Sequence, residues 1–216
     1  MATSNTTSFD LNLDDLIEEA YERCGMQMTA GYQLNSARRS LNLLFLDWAN
    51  RGLNLWTIEQ ATLSLSASTT EYSLPTDTVN VLTAVINDTS DITIDRISRA
   101  EYLNVPNKTT TGRPSQYYVE RANTPKVFFY PTPNKVYTFK YYRIRRIQDS
   151  GDYTNTLDVN FRFLPCLAAG LAYYLSIKFA PDRTTGLKSL YEEEFLRAAS
   201  EDRDTASVSF VPQVGA

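Results

Sequence analysis

The chain has 216 residues, 43% of them hydrophobic, and a formal net charge of -4 at pH 7. That is enough apolar content for a real core in one or two domains, and the acidic balance argues against a protein that works by gripping nucleic acid through its phosphates. With no histidine in the chain, the most frequent general base and zinc ligand are missing, and so is every Ser-His or Cys-His nucleophile pair.

Residues 1–8 are rich in Thr, Ser and Asn and lack the basic and apolar regions of a signal peptide. They are expected to stay unordered unless a partner holds them. A first helix follows, which Asp10 or Asn12 can cap. Its stripe of Leu13, Leu16, Ile17, Ala20 and Cys24 runs to Gly25, and the short turn of residues 25–28 should pair it antiparallel with the next helix.

Residues 29–56 form the long helix around which the chain is organised. Leu34, Ala37, Leu41, Leu44, Phe45 and Trp48 recur at steps of three and four and make one core stripe. Thr29 can cap the start, and Arg51-Gly52 is a helix stop. Leu43 and Leu46 project to the opposite side, beside Arg39 and Asn50. One face cannot bury both sets, so this helix either sits between two layers of its own domain or lies at a subunit contact.

From residue 57 the period changes to two. Ala61, Leu63 and Leu65 fall on one face, Thr62, Ser64 and Ser66 on the other, as a half-buried strand requires. Further strands are expected at 71–74, 79–86, 92–97, 116–121, 127–130 and 136–147, separated by Pro, Gly and Asn-Asp turns. Ser98 and Glu101 form a capping-box pattern for one helical turn. No connection reads as long enough for a parallel crossover, so an antiparallel meander is expected.

Helical period resumes after Leu157. Residues 161–179 have no polar side, and Ala168, Ala169, Ala172 and Ser176 make a flat face that lets another helix approach closely. At 15 residues, with Pro165 and Gly170 inside it, the apolar run 163–177 is shorter than the ~20 residues that span a bilayer. Pro181 ends this helix, Asp182 or Thr184 can cap the last one, and Leu187, Leu190, Tyr191, Phe195 and Ala198 form its stripe. The expected class is α+β: a four-helix bundle (1–56 with 157–203) with an antiparallel β domain (57–156) inserted between helices 2 and 3, and an extended tail (204–216).

The chemistry-bearing residues have plainer explanations than catalysis. Glu192, Glu193 and Glu194 point in three directions on a helix and solvate its outer face, and Arg143, Arg145 and Arg146 are best explained by ion pairs with acidic neighbours. Cys24 and Cys166 read as buried small hydrophobes. The 14 tyrosines usually flank a core or an interface when they lie in strands. No Gly-rich phosphate loop, CxxC pair or metal-spaced carboxylate set is present, and neither an enzyme nor a cofactor is called for.

The segments SARRSLNLLFLDWANRGLNLW, YSLPTDTVNVLTAVI, GRPSQYY with VFFYPTPNKVYTFKYYRIRRIQD, and FLPCLAAGLAYYLS followed by YEEEFLRAA resemble the head-to-tail adaptor proteins of tailed bacteriophages, the podophage type being nearest. The resemblance implies a structural virion protein at the head-tail junction, assembled in the host cytoplasm. It would form a ring of twelve copies with portal protein above, tail nozzle or tail fibre protein below, and DNA passing without sequence recognition; no membrane is involved. Leu43, Leu46, Arg39 and Ala172 would then serve the subunit interface, and Val208, Phe210 and Val211 of the tail would contact the portal or a neighbour. A carbohydrate- or receptor-binding tail module, through the tyrosines, and a muralytic enzyme, through the glutamates, are the rival readings.

Overall fold

The computed structural model describes residue 5 and residues 11–29, 31–52, 55–151 and 155–202. Over these the chain is α+β, with five helices, α1 (Leu13–Arg23), α2 (Gly31–Arg51), α3 (Arg99–Asn104), α4 (Leu164–Phe179) and α5 (Thr184–Glu201), and largely antiparallel sheets. It divides into two compact units: Met1–Leu55 with Ile147–Ala216, and Trp56–Arg146.

The first unit is built on α4. This helix is apolar nearly all round, and it is buried without a break from Cys166 through Ala172 and again at Leu175 and Ser176; a helix without a polar face is stable only with neighbours on every side. α1, α2 and α5 all pack on it. The expected pairing of α1 with α2 is therefore replaced by a shared partner. α1 has one apolar stripe to bury, and α4 offers more apolar surface than α2; α1 meets α2 through Tyr21, whose hydroxyl donates to the Gln33 carbonyl at 3.0 Å. Cys24 and Cys166 are free and buried, as expected of small hydrophobes.

α2 buries Ala37, Leu41, Leu44, Phe45 and Trp48 of its expected stripe, while Leu34 is half-buried. Gln33, Ser36 and Ser40 are buried with them. Lys178 from the last turn of α4 explains part of that: its Nζ donates to Ser40 Oγ at 2.7 Å and Ser36 Oγ at 3.2 Å, so this end of the contact is hydrogen-bonded. α2 ends at Arg51, and Gly52 follows at φ +75°, a left-handed conformation that Gly adopts without a steric penalty. At the other end the Thr29 N–H donates to Gln33 Oε1 at 2.8 Å.

The second unit packs two four-stranded sheets. The strands are β1 (Ile58–Leu65), β2 (Glu71–Ser73), β3 (Thr78–Asn87), β4 (Asp91–Thr93), β5 (Asp95–Arg96), β6 (Thr111–Gly112), β7 (Gln116–Glu120), β8 (Lys126–Tyr130), β9 (Thr132–Pro133) and β10 (Tyr137–Arg145). One sheet runs β1-β10-β3-β4, the other β2-β8-β7-β5, and β6 pairs with β9. Their inner faces share one core, in which Phe129 and Phe139 meet edge to face at 4.9 Å.

This is not a meander. The first strand pairs with the last, and β5–β7 and β6–β9 are parallel. The connection from β5 to β7 is long enough for a crossover because it carries α3, whose capping box is formed as the sequence indicates: Glu101 N–H donates to Ser98 Oγ at 3.2 Å and Ser98 N–H to Glu101 Oε2 at 2.6 Å. The single strand expected at 92–97 splits at buried Ile94, so that β4 joins the first sheet and β5 the second.

Candidate subunit-contact surface

Because α4 covers one side of α2, the other side of that helix carries its unmatched apolar residues. Leu43 and Leu46 are each 54% exposed, and Tyr32, Arg39 and Asn50 continue the same exposed strip at helical spacing. Fully burying one such leucine contributes about 1.5–3 kcal/mol, so the pair has much to gain from a covering surface.

Toward the start of α2 the surface becomes polar. An open depression of about 630 Å³ is lined by Tyr32, Asn35, Arg38, Arg39 and Asn42. Two of these are anchored within the unit: Arg38 Nη2 donates to the Gly151 carbonyl, and Asn42 Oδ1 accepts from Ser150 N–H at 3.0 Å. The strip thus offers two leucines and, nearer the start of the helix, the Arg39 guanidinium.

Ala172 does not belong to it. It is fully buried within its own chain, and its carbonyl accepts from Cys24 Sγ at 3.2 Å. The small-residue face of α4 is used for contacts inside the unit, most tightly at Gly170, where an added Cβ would sit 2.9 Å from Leu44 Cδ2 and 3.0 Å from the Tyr191 ring. Val208, Phe210 and Val211 lie outside the described residues.

Other apolar residues on this unit are exposed as well. Leu196 (68% exposed), Phe161 and Ile177 stand out, and Phe161 borders an open groove of about 600 Å³ with Leu11, Asp15, Leu164 and Pro165. For Phe161 and Ile177 the signal is the excess apolar content of 161–179; Leu196, on α5, lies outside that segment.

The charged residues weighed for chemistry are tied up in pairs. Glu192 accepts from Arg51 at 2.9 and 3.0 Å, and that hydrogen bond holds its carboxyl below the usual range. Glu193 and Glu194 both pair with Arg197 at 3.0 Å. In the β unit, buried Arg143 donates to Glu59 at 2.8 Å, to Asp77 at 2.6 Å and to Thr78 Oγ1 at 2.8 Å. Arg145 lies 3.4 Å from Glu59, and Arg146 Nη2 donates to the Thr76 carbonyl at 2.6 Å. Arg143 and Arg145 thus make the ion pairs with acidic neighbours that the sequence favours, while the contact of Arg146 is to a backbone carbonyl. Tyr117 and Tyr141 are buried, and Tyr118 clusters with Tyr102 at 5.5 Å and Phe128 at 5.8 Å, those two rings also being 5.5 Å apart. Burial pushes the Cys166 thiol up to about 12 and raises that of Cys24.

Among the described residues no group of His, Cys, Asp or Glu is placed to hold a metal ion, and no helix is long and apolar enough to cross a membrane. No curated protein sequence matches the chain. A family model, that of the SU10 adaptor protein, matches residues 11–214. The match covers nearly the whole chain, agrees with the adaptor resemblance of the motifs, and shows that the chain belongs to the SU10 adaptor protein family.

Proposed function

We propose that the chain is a structural, ring-forming adaptor of the podophage type that joins the portal vertex of a phage capsid to its tail and continues the DNA channel. In this reading α1, α2, α4 and α5 form a four-helix bundle that carries the β unit as an insertion, and twelve copies close the ring. Portal protein binds above, nozzle or fibre protein below, and the acidic chain lets DNA pass without gripping it.

The observation that carries the reading is the exposed Leu43–Leu46 pair, on the long helix of a chain whose family is an adaptor family. A head-to-tail ring needs one patch to meet a different patch on the next copy. The strip from Tyr32 to Asn50 supplies the first, and exposed Leu196, Ile177 and Phe161 are candidates for the second.

The test is assembly on portal-bearing heads, followed by mass photometry and negative-stain imaging. Leu43→Asp with Leu46→Asp gives a monomer with a wild-type melting profile that no longer forms rings. Rings of normal size from the double variant remove this face from the contact, and an unfolded variant assigns the two leucines to the chain's own core.

A further inference from the structure

The β unit leaves one sheet edge long and open. β2 and β4 are edge strands of three residues and β5 of two, short enough to offer little to an incoming strand. β1 is different. It has eight residues, no proline and no lysine, and it pairs on one side with β10. Among the described residues no backbone hydrogen bond joins Ile58–Leu65 to anything else.

The core is also incomplete at this margin. Leu65 is buried, but Ala61 and Leu63 of β1 and Tyr72 of β2 are only partly buried where they pack against the core. The other face of β1 shows exposed Gln60, Thr62 and Ser64. A strand added here needs apolar residues at alternate positions to cover Ala61, Leu63 and Tyr72, with small polar residues between them to continue the Thr/Ser face.

The chain itself carries such a segment. In residues 206–211, Ala-Ser-Val-Ser-Phe-Val, an extended conformation would put Val208 and Phe210 on one face and Ser207 and Ser209 on the other, with Pro212 as a stop. We infer that the β1 edge of one copy receives residues 206–211 of a neighbouring copy as an added strand, with Val208 and Phe210 over Ala61 and Leu63. Main-chain hydrogen bonds then supply affinity and the two apolar side chains supply register. The inference rests on the ring reading above, since it needs a neighbour.

The test uses the full chain assembled on portal-bearing heads, with Thr62→Cys combined in turn with Ser207→Cys, Ser209→Cys or Val208→Cys, and a short bismaleimide cross-linker. Cys24 and Cys166 are buried and should not interfere. The expected result is a ladder of covalent oligomers with Ser207→Cys and Ser209→Cys, several-fold stronger than with Val208→Cys, which lies on the opposite face from Thr62. Rings that form without a ladder, a cross-link confined to one chain, or an adduct to portal overturn the strand exchange and leave the ring reading standing. Equal yield from all three positions shows a loose tail and overturns it as well. Failure of the parent protein to form rings removes both.

Discussion

The indole N–H of Trp48 donates to the hydroxyl of Tyr191 at 3.0 Å, and that hydroxyl donates in turn to Asp47 Oδ2 at 3.1 Å. Both rings are fully buried, so the chain Trp48–Tyr191–Asp47 fastens α2 to α5 at the depth of the core. Arg51 completes it from the solvent side, 3.0 Å from Asp47 and 2.9 Å from Glu192, with its guanidinium 4.4 Å from the centre of the Phe195 ring.

Tyr191→Phe keeps the ring and removes the relay. The Trp48 N–H is then buried without an acceptor, which costs about 1–3 kcal/mol. The expected outcome is a fall of several degrees in the thermal midpoint of the helical unit, with near-wild-type helix content below it. An unchanged midpoint means that water reaches Trp48 and the relay is not structural.

That relay was not legible in the sequence, although its members were. Trp48 and Tyr191 each lay on a predicted stripe, but stripes say which residues are covered and not which polar tips meet. The same limit explains the misplaced centre of the helical unit. α2 has a clear periodicity that reads as a centre, whereas α4, apolar all round, has no direction of its own and is the helix the others need. In the β unit the alternation of Ala61, Leu63 and Leu65 and of the β10 residues located the strands, and the Ser98–Glu101 pattern located α3. Strand order was beyond it: β1 and β10 are more than seventy residues apart in sequence, and nothing local records that pairing. Of the candidate surface, Leu43, Leu46 and Arg39 stand exposed on one strip, while Ala172 was drawn in by a face that serves the chain's own packing.

Ala172→Leu and Gly170→Ala test that packing. Ala172 is fully buried, and a leucine there must displace neighbours, at a cost of about 1–3 kcal/mol. At Gly170 a single methyl group meets Leu44 and the ring of Tyr191, and the Tyr191 ring cannot swing aside without breaking its bonds to Trp48 and Asp47. Both variants should lower the urea midpoint with little change in slope, while Leu196→Asp, on the exposed side of α5, should stay within about 0.5 kcal/mol of wild type. Wild-type midpoints for both core variants would mean that α4 has open space beside it.

Asp77 should give the β unit a measurable acid dependence. The hydrogen bond from Arg143 holds its carboxyl below the ordinary carboxylate value, against the opposing effect of burial. A depressed folded-state pKa means that the charged form contributes stability above the unfolded value of about 3.9, and that this contribution disappears as pH falls through the folded value. The Asp77 side chain is 43% exposed, so the effect is screened and modest. Asp77→Asn is therefore expected to lower the urea midpoint slightly at pH 7, less so in high salt, and to match wild type once pH is below both values. Asp91, Glu101 and Glu192 are depressed as well, but they are present in both proteins and cancel in the difference. A gap between the two proteins that stays constant down to the lowest pH would mean that the substitution acts through packing or the amide's own contacts. The Arg143–Asp77 charge pair would then contribute nothing to holding the start of β3 against β10.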